Sequence, residues 1–260
     1  MADEATGVYV YAVIRDGDRT EFDAPPISGE GPVYTIPHRG LAAVVSDSAL
    51  LTRYELIRAN VRGHQDVVDE VMRTGDIVPA RMGFVLPSAQ AVVEELLEKR
   101  WAELDRLCER IAGRVELGLK VSWTDLERVF GEIVADDRDL RALRDRLAKH
   151  PRAATLEARL ELGGRAAAAL AARREREADE LVAALEPQAV SVRRNDPISD
   201  ELMVLNAAFM VDRGRTETFE AAVQELDRAN GGRLGFLLFG PVAPYNFVSL
   251  NGAVERKRAA

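Results

Sequence analysis

Between residues 115 and 123 the chain alternates without a slip. Val115, Leu117, Leu119, Val121 and Trp123 are apolar, and Glu116, Gly118, Lys120 and Ser122 intervene. Period two over that span predicts a half-buried strand, because successive side chains point to opposite faces of a sheet. Thr124-Asp-Leu-Glu127 follows at once. It matches a capping box, in which a hydroxyl and a carboxylate satisfy free backbone N–H groups at a helix start. The chain must therefore pass directly from a sheet into a helix.

The rest of the C-terminal half divides cleanly into elements. A helix is predicted over 124–149, broken by His150-Pro151, and a longer one over 154–186, stopped by Pro187. Residues 189–193 read as a short strand and 202–211 as a long apolar one. A helix over 216–229 is capped by Asn230-Gly231, and a last strand covers 233–239. The order is β-α-β-β-α-β, a modified ferredoxin-like sandwich with an extended helical hairpin in its first connection. Right-handed crossovers place the helices on one face of a four-stranded antiparallel sheet, with the first and third strands central. The apolar last strand then lies at an edge, where charges or a cover are usual.

The N-terminal half has its own elements. Residues 8–14 are apolar on both faces and predict a central strand. Residues 33–37 and 41–46 bracket His38-Arg39-Gly40 as a hairpin. A helix over 53–73 ends at Thr74-Gly75, where glycine suits a left-handed cap. Residues 77–86 read as a strand interrupted by Pro79 and Gly83. Pro87-Ser88 opens a helix striped by Val92, Val93, Leu96, Leu97, Trp101, Leu104, Cys108 and Ile111. Gly113 closes the unit. The class is α+β with two domains, 1–113 and 114–260.

Charge and composition narrow the partners. A net charge of −8 opposes nucleic-acid binding, which needs a basic face. Glu255-Arg-Lys-Arg258 reads as a solvated tail. A single cysteine leaves no intramolecular disulfide and no Cys-rich metal site. No N-terminal signal pattern and no apolar run of membrane-spanning length are visible. A soluble, cytoplasmic protein with no membrane partner is expected.

Candidate chemistry is sparse. The three histidines, His38, His64 and His150, lie outside metal-ligand spacing of one another. No nucleophile elbow and no phosphate loop occur, and no catalytic residue, cofactor or metal is expected. Asn206, inside an apolar strand, reads as a local hydrogen bond or a buried ligand contact. Arg81, beside Gly83, reads as a structural carboxylate partner or an anion anchor. A ferredoxin-like enzyme or small-ligand sensor is the rival class. It requires a pocket lined by Arg81, His64 or Asn206, and ligand retained through purification would reveal it.

Two features point to recognition instead. Leu156, Leu160, Gly163, Ala167, Leu170, Arg174, Ala178, Leu181 and Leu185 keep three-and-four spacing, a coiled-coil-like seam. It suits an intramolecular hairpin with the 125–148 helix, self-association through Leu170 and Leu181, or both. The second feature is the segment from Leu234 to Val248. Phe236 and Phe239 lie in its strand, Gly240-Pro241 must end the ladder, and Pro244 stiffens the exit that carries Tyr245 and Phe247.

Several of these segments resemble the gas vesicle protein GvpL/GvpF family: Gly240-Pro241 with Pro244-Tyr245-Asn246-Phe247, the 205–211 strand, and Pro79-Ala-Arg81-Met-Gly83. Val8 to Tyr11, Gly40 to Ser46, His64-Gln65 and Glu116 to Trp123 agree, in order and nearly end to end. Val242-Ala243 stand where the family has Trp-Pro, and Met82 where it has Phe. The resemblance implies an α+β accessory protein of gas vesicle formation, not an enzyme. Its implied partners are the hydrophobic shell protein and other vesicle proteins, in the cytoplasm and at the vesicle. Phe236, Phe239, Pro244, Tyr245 and Phe247 are the expected contacts, with Arg81, Gly83, Asn206, Gly240 and Pro241 as structural positions.

Overall fold

A computed structural model describes residues 6–17, 19–49, 54–149, 156–196 and 201–250. His150-Pro151 and the basic stretch 255–258 lie outside them. The chain divides into two compact units: Met1–Glu116 with Gly240–Ala260, and Leu117–Phe239.

The first unit is built on a sheet of order β2-β3-β4-β1-β5, with β6 also on β1. These strands are β1 (Thr6–Arg15), β2 (Glu21–Phe22), β3 (Val33–His38), β4 (Leu41–Ala49), β5 (Ile77–Pro79) and β6 (Val85–Leu86). β1 is interior, and Val8 to Val13 are buried on both faces, as an unbroken apolar run requires. β3 and β4 pair antiparallel with His38 opposite Leu41. The turn between them puts Arg39 at φ 51° and Gly40 at φ 82°, the left-handed pair that a tight hairpin needs. Gly83, at φ 88°, splits the single strand expected over 77–86 into β5 and β6, both paired with β1.

Two helical layers cover this sheet. α1 (Arg58–Thr74) begins later than expected, and Gly75 at φ 179° is extended, not a left-handed cap. α2 (Ala89–Ala91) starts on Ser88, whose Oγ accepts the Ala91 N–H at 3.1 Å. It continues as a π-helical stretch, Val92–Glu98, and then as α3 (Trp101–Ile111).

The second sheet has the order β10-β7-β9-β8. Its strands are β7 (Arg114–Trp123), β8 (Ser191–Arg194), β9 (Met203–Asp212) and β10 (Leu234–Val242). β7 and β9 are central, and β8 and β10 are the edges. Leu117, Leu119, Val121 and Trp123 of β7 enter a core with Phe209, Phe219, Leu181 and Leu185. α4 (Leu126–Asp136), α5 (Arg138–Ala148), α6 (Leu156–Leu185) and α7 (Thr216–Ala229) supply the helices around that core.

Several expectations are corrected in this half. The helix starts on Asp125, whose carboxylate accepts the Arg128 N–H at 3.0 Å. Thr124 Oγ1 instead donates to the Gly232 and Arg233 carbonyls at 2.8 and 3.0 Å, so it is not the cap. The helix expected over 124–149 is two, because Asp137 leaves helical geometry and its carboxylate caps Asp139 and Leu140 at 2.9 Å. Gly240-Pro241, a cis peptide, does not end the ladder, since β10 runs on to Val242. As an edge strand, β10 can spare the N–H that proline lacks. Finally, residues 240–250, expected with the C-terminal domain, group with the first unit, where Ala243, Val248 and Leu250 are buried.

Candidate functional site

The open edge of the second sheet carries no charge over its length, Leu-Gly-Phe-Leu-Leu-Phe-Gly-Pro-Val. Phe236 and Leu238 pack on the core, while Leu237 and Phe239 turn outward, 59% and 41% exposed. Phe239 has a defined seat. A Cβ added at Gly118 would lie 2.0 Å from its ring, so the ring rests on the bare glycine backbone of the neighbouring strand. The Lys120 ammonium stands 5.7 Å from the ring centroid, in cation–π range. The opposite edge is different. β8 carries Arg193 and Arg194, and Arg194 pairs with Asp179 and, at 3.7 Å, with Glu175 on α6.

The tail beyond this strand turns inward. Ala243 and Pro244 are buried, and Tyr245 and Phe247 are half-buried against the two cores of the first unit. Tyr245 Oη lies 3.1 Å from His64 Nε2, and His64 Nδ1 lies 2.9 Å from Tyr9 Oη, which accepts the Gly83 N–H at 2.9 Å. A neutral imidazole satisfies both hydroxyls, one nitrogen donating and the other accepting. Burial pushes the His64 imidazole down to about 4, against a weaker opposing bond to the Ala80 backbone. Burial likewise raises the Tyr9 and Tyr245 hydroxyls above their ordinary range. Glu116, 3% exposed, closes the clamp by accepting the Asn246 N–H at 2.8 Å and its side-chain amide at 2.6 Å. Burial raises this carboxyl, and the two bonds from Asn246 only partly offset that. The expectation that Pro244 presents Tyr245 and Phe247 to a partner is therefore corrected: both rings pack against the first unit, with Tyr245 tied to His64 and Asn246 between them tied to Glu116.

The long helix also sorts its seam. Leu181 is 5% exposed and Leu170 is half-buried on the same core, so these two contacts, expected at a partner, serve the fold. Physical anchoring explains the inward half. Glu177 accepts from Trp123 Nε1 at 2.8 Å, Arg173 at 2.7 Å and Arg233 at 2.6 Å. Burial raises its carboxyl, but the Arg233, Arg173 and Trp123 bonds outweigh that and leave it below the ordinary carboxylate range. Arg174, the residue that interrupts the seam, lies over the Trp123 ring at 5.2 Å. Leu156 and Leu160, in contrast, are 66% and 69% exposed.

The remaining candidates do not converge. Asn206 donates its side-chain amide to the Asp196 backbone carbonyl at 3.1 Å, and its backbone carbonyl accepts the Asn195 N–H at 2.8 Å, a local closure. Arg81 is exposed and makes no ion pair among the described residues, although its backbone N–H reaches the Leu250 carbonyl at 3.1 Å. Gly83 serves Tyr9. Two cavities, of about 460 and 420 Å³, lie at Arg176, Glu180 and Asn230 and at Asp23, Asp69 and Arg73. Neither is lined by Arg81, His64 or Asn206.

Comparison with known proteins settles the family. Residues 7–249 match the family described as gas vesicle synthesis protein GvpL/GvpF. The chain belongs to this family. It is 34% identical over 245 residues to gas vesicle protein F of a Streptomyces species, covering 92% of this chain and 98% of that protein. Gas vesicle protein F of a Nostoc species is 26% identical, covering 95% and 100%. The crystal structure of GvpF from an Anabaena species superimposes with a TM-score of 0.83 at 25% identity, covering 94% of this chain and 99% of that one.

Within this GvpL/GvpF chain, sequence reasoning missed Glu116 and Leu237. Glu116 occupies the polar phase of an alternating strand, a position that reads as solvent-facing. Leu237 sits in an apolar run whose in-and-out phase only the strand pairing reveals. The order of β7 and β10 in the sheet is the signal for Leu237, whereas the partner of Glu116 lies 130 residues away at Asn246 and leaves no local signal.

Proposed function

We propose that this chain is an accessory protein of gas vesicle formation that binds the hydrophobic shell protein, and other vesicle proteins, during assembly. It acts by binding, not by catalysis, in the cytoplasm and at the vesicle. Family membership supports the vesicle role, and the relatives above are named as gas vesicle proteins. The succession β-α-β-β-α-β and the order β10-β7-β9-β8 support a modified ferredoxin-like second unit with an extended helical hairpin. Among the described residues no helix is long and apolar enough to cross a membrane.

The observation that carries the shell-binding reading is the unguarded edge of β10. Natural edges are usually blocked by charge, as β8 is by its arginines, and an apolar edge left open invites another strand or apolar surface. A shell protein rich in apolar segments is an aggregation hazard that such an edge can cover. Leu237→Lys places a charge on that edge without touching the core. Co-purification of the shell protein is expected to fall sharply in this variant while the melting temperature stays within about 2 °C, as for a surface change. Undiminished co-purification from Leu237→Lys and from Phe239→Lys overturns the reading.

Self-association, if the seam contributes to it, belongs to the exposed turns at Leu156 and Leu160 and not to Leu170 and Leu181. Leu160→Glu should then lower the mass seen by light scattering and leave circular dichroism unchanged.

A further inference from the structure

Backbone geometry defines what kind of segment β10 can accept. The Thr124 N–H donates to the Arg233 carbonyl at 3.1 Å, and Phe239 lies over Gly118, so β7 and β10 run in opposite directions. Hydrogen-bonding residues alternate along such a pair. Residues 233, 235, 237 and 239 face β7, which leaves the backbone groups of Phe236 and Leu238 pointing to the open side. A strand added there extends the sheet, and its alternate side chains fall on the face shared by Leu237, Phe239 and Lys120.

Lys120 gives that face its chemistry. It is half-buried, its ammonium is held against the Phe239 ring, and it has no carboxylate partner among the described residues. An added strand lies two strand spacings from β7, roughly 10 Å, within the combined reach of a lysine and a glutamate side chain. Self-pairing of β10 between two copies supplies no acidic residue, because the strand contains none.

We propose, resting on the docking reading above, that β10 captures an extended partner segment by strand addition. The segment carries apolar residues at alternate positions and one carboxylate in that same phase, which Lys120 selects. Its partner is another protein bearing such an acidic, alternating strand.

The test uses the full chain and two labelled peptides of about seven residues, alternating valine and threonine, with one central valine replaced by glutamate or by lysine. Fluorescence anisotropy should show the glutamate peptide binding about three- to fivefold more tightly, the range of a partly exposed ion pair. Lys120→Glu should invert the preference. Amide exchange at Phe236 and Leu238 should slow on binding, which a merely sticky apolar contact does not produce. Equal affinity for the two peptides, or no protection at these amides, overturns the inference. A peptide-insensitive dimer in light scattering overturns it as well, in favour of self-pairing. If Leu237→Lys still abolishes shell co-purification while the peptides fail, strand capture falls and shell docking stands. If the peptides behave as expected but co-purification is unaffected by Leu237→Lys, the converse holds.

Discussion

The segments on either side of Gly240-Pro241 are alike in composition and opposite in fate. Before it, Leu237 and Phe239 stand out from an edge strand with one glycine seat and one lysine beside them. After it, Tyr245 and Phe247 pack into the first unit, and Tyr245 and Asn246 are tied to His64 and Glu116. Aromatic content does not distinguish a docking surface from a core. The polar partners do, because a buried hydroxyl or amide must find one and thereby fixes the ring next to it.

Truncation should separate the two segments most sharply. Phe247→Ala removes a ring from the first unit's core and is expected to destabilise it by about 3 kcal/mol, the low end for phenylalanine because the ring is half-buried. Leu237→Ser, on the exposed edge, should stay within about 0.5 kcal/mol. Urea unfolding measures both, with amide exchange in β1 and α1 assigning the loss to the first unit. Equal effects from the two variants would erase the distinction between strand and tail.

Acidification attacks the tail from its polar side. The buried His64 is held down at about 4, against an ordinary value of 6.5. Its depressed folded pKa means the neutral form is favoured on folding. Its contribution is therefore fully present above 6.5 and is lost as pH falls toward 4. Linkage puts the loss at about 2 kcal/mol by about pH 5. Melting curves of the native protein and His64→Gln across that range should converge as pH falls. A constant difference between them would mean that His64 is solvated when folded.

The same contrast explains what could be read from the chain. The alternation in β7 and the apolar run of β9 are local signals, since each reports the faces of its own strand, and the sheet order follows from the connection rules. Local signals also mislead where a distant group intervenes. Thr124 looks like a cap, but its hydroxyl is taken by carbonyls more than a hundred positions away, and Asp125 caps instead. Asp137 breaks a helix whose apolar stripe continues unbroken through it. The tail's partners lie 181 residues away at His64 and 130 at Glu116, so no window of sequence contains the clamp. The exposed edge was legible as an edge, although not which of its residues face out.

The smallest expected effect probes how lightly Phe239 is held. Gly118 has no left-handed backbone demanding glycine, so its role is the flat surface it gives the ring. In Gly118→Ala the new methyl collides with the ring, and an end-of-chain ring that is already 41% exposed can swing outward without moving the backbone. Losing the seat and the Lys120 contact costs about 0.5–1 kcal/mol. Reduced freedom of the unfolded chain returns a similar amount, about 0.4–1 kcal/mol. Net stability should thus shift by less than about 0.5 kcal/mol, while shell co-purification weakens because the ring no longer lies in the plane of the edge. A melting temperature lowered as far as in Phe247→Ala would show instead that Phe239 is a core ring, held as firmly as those of the tail.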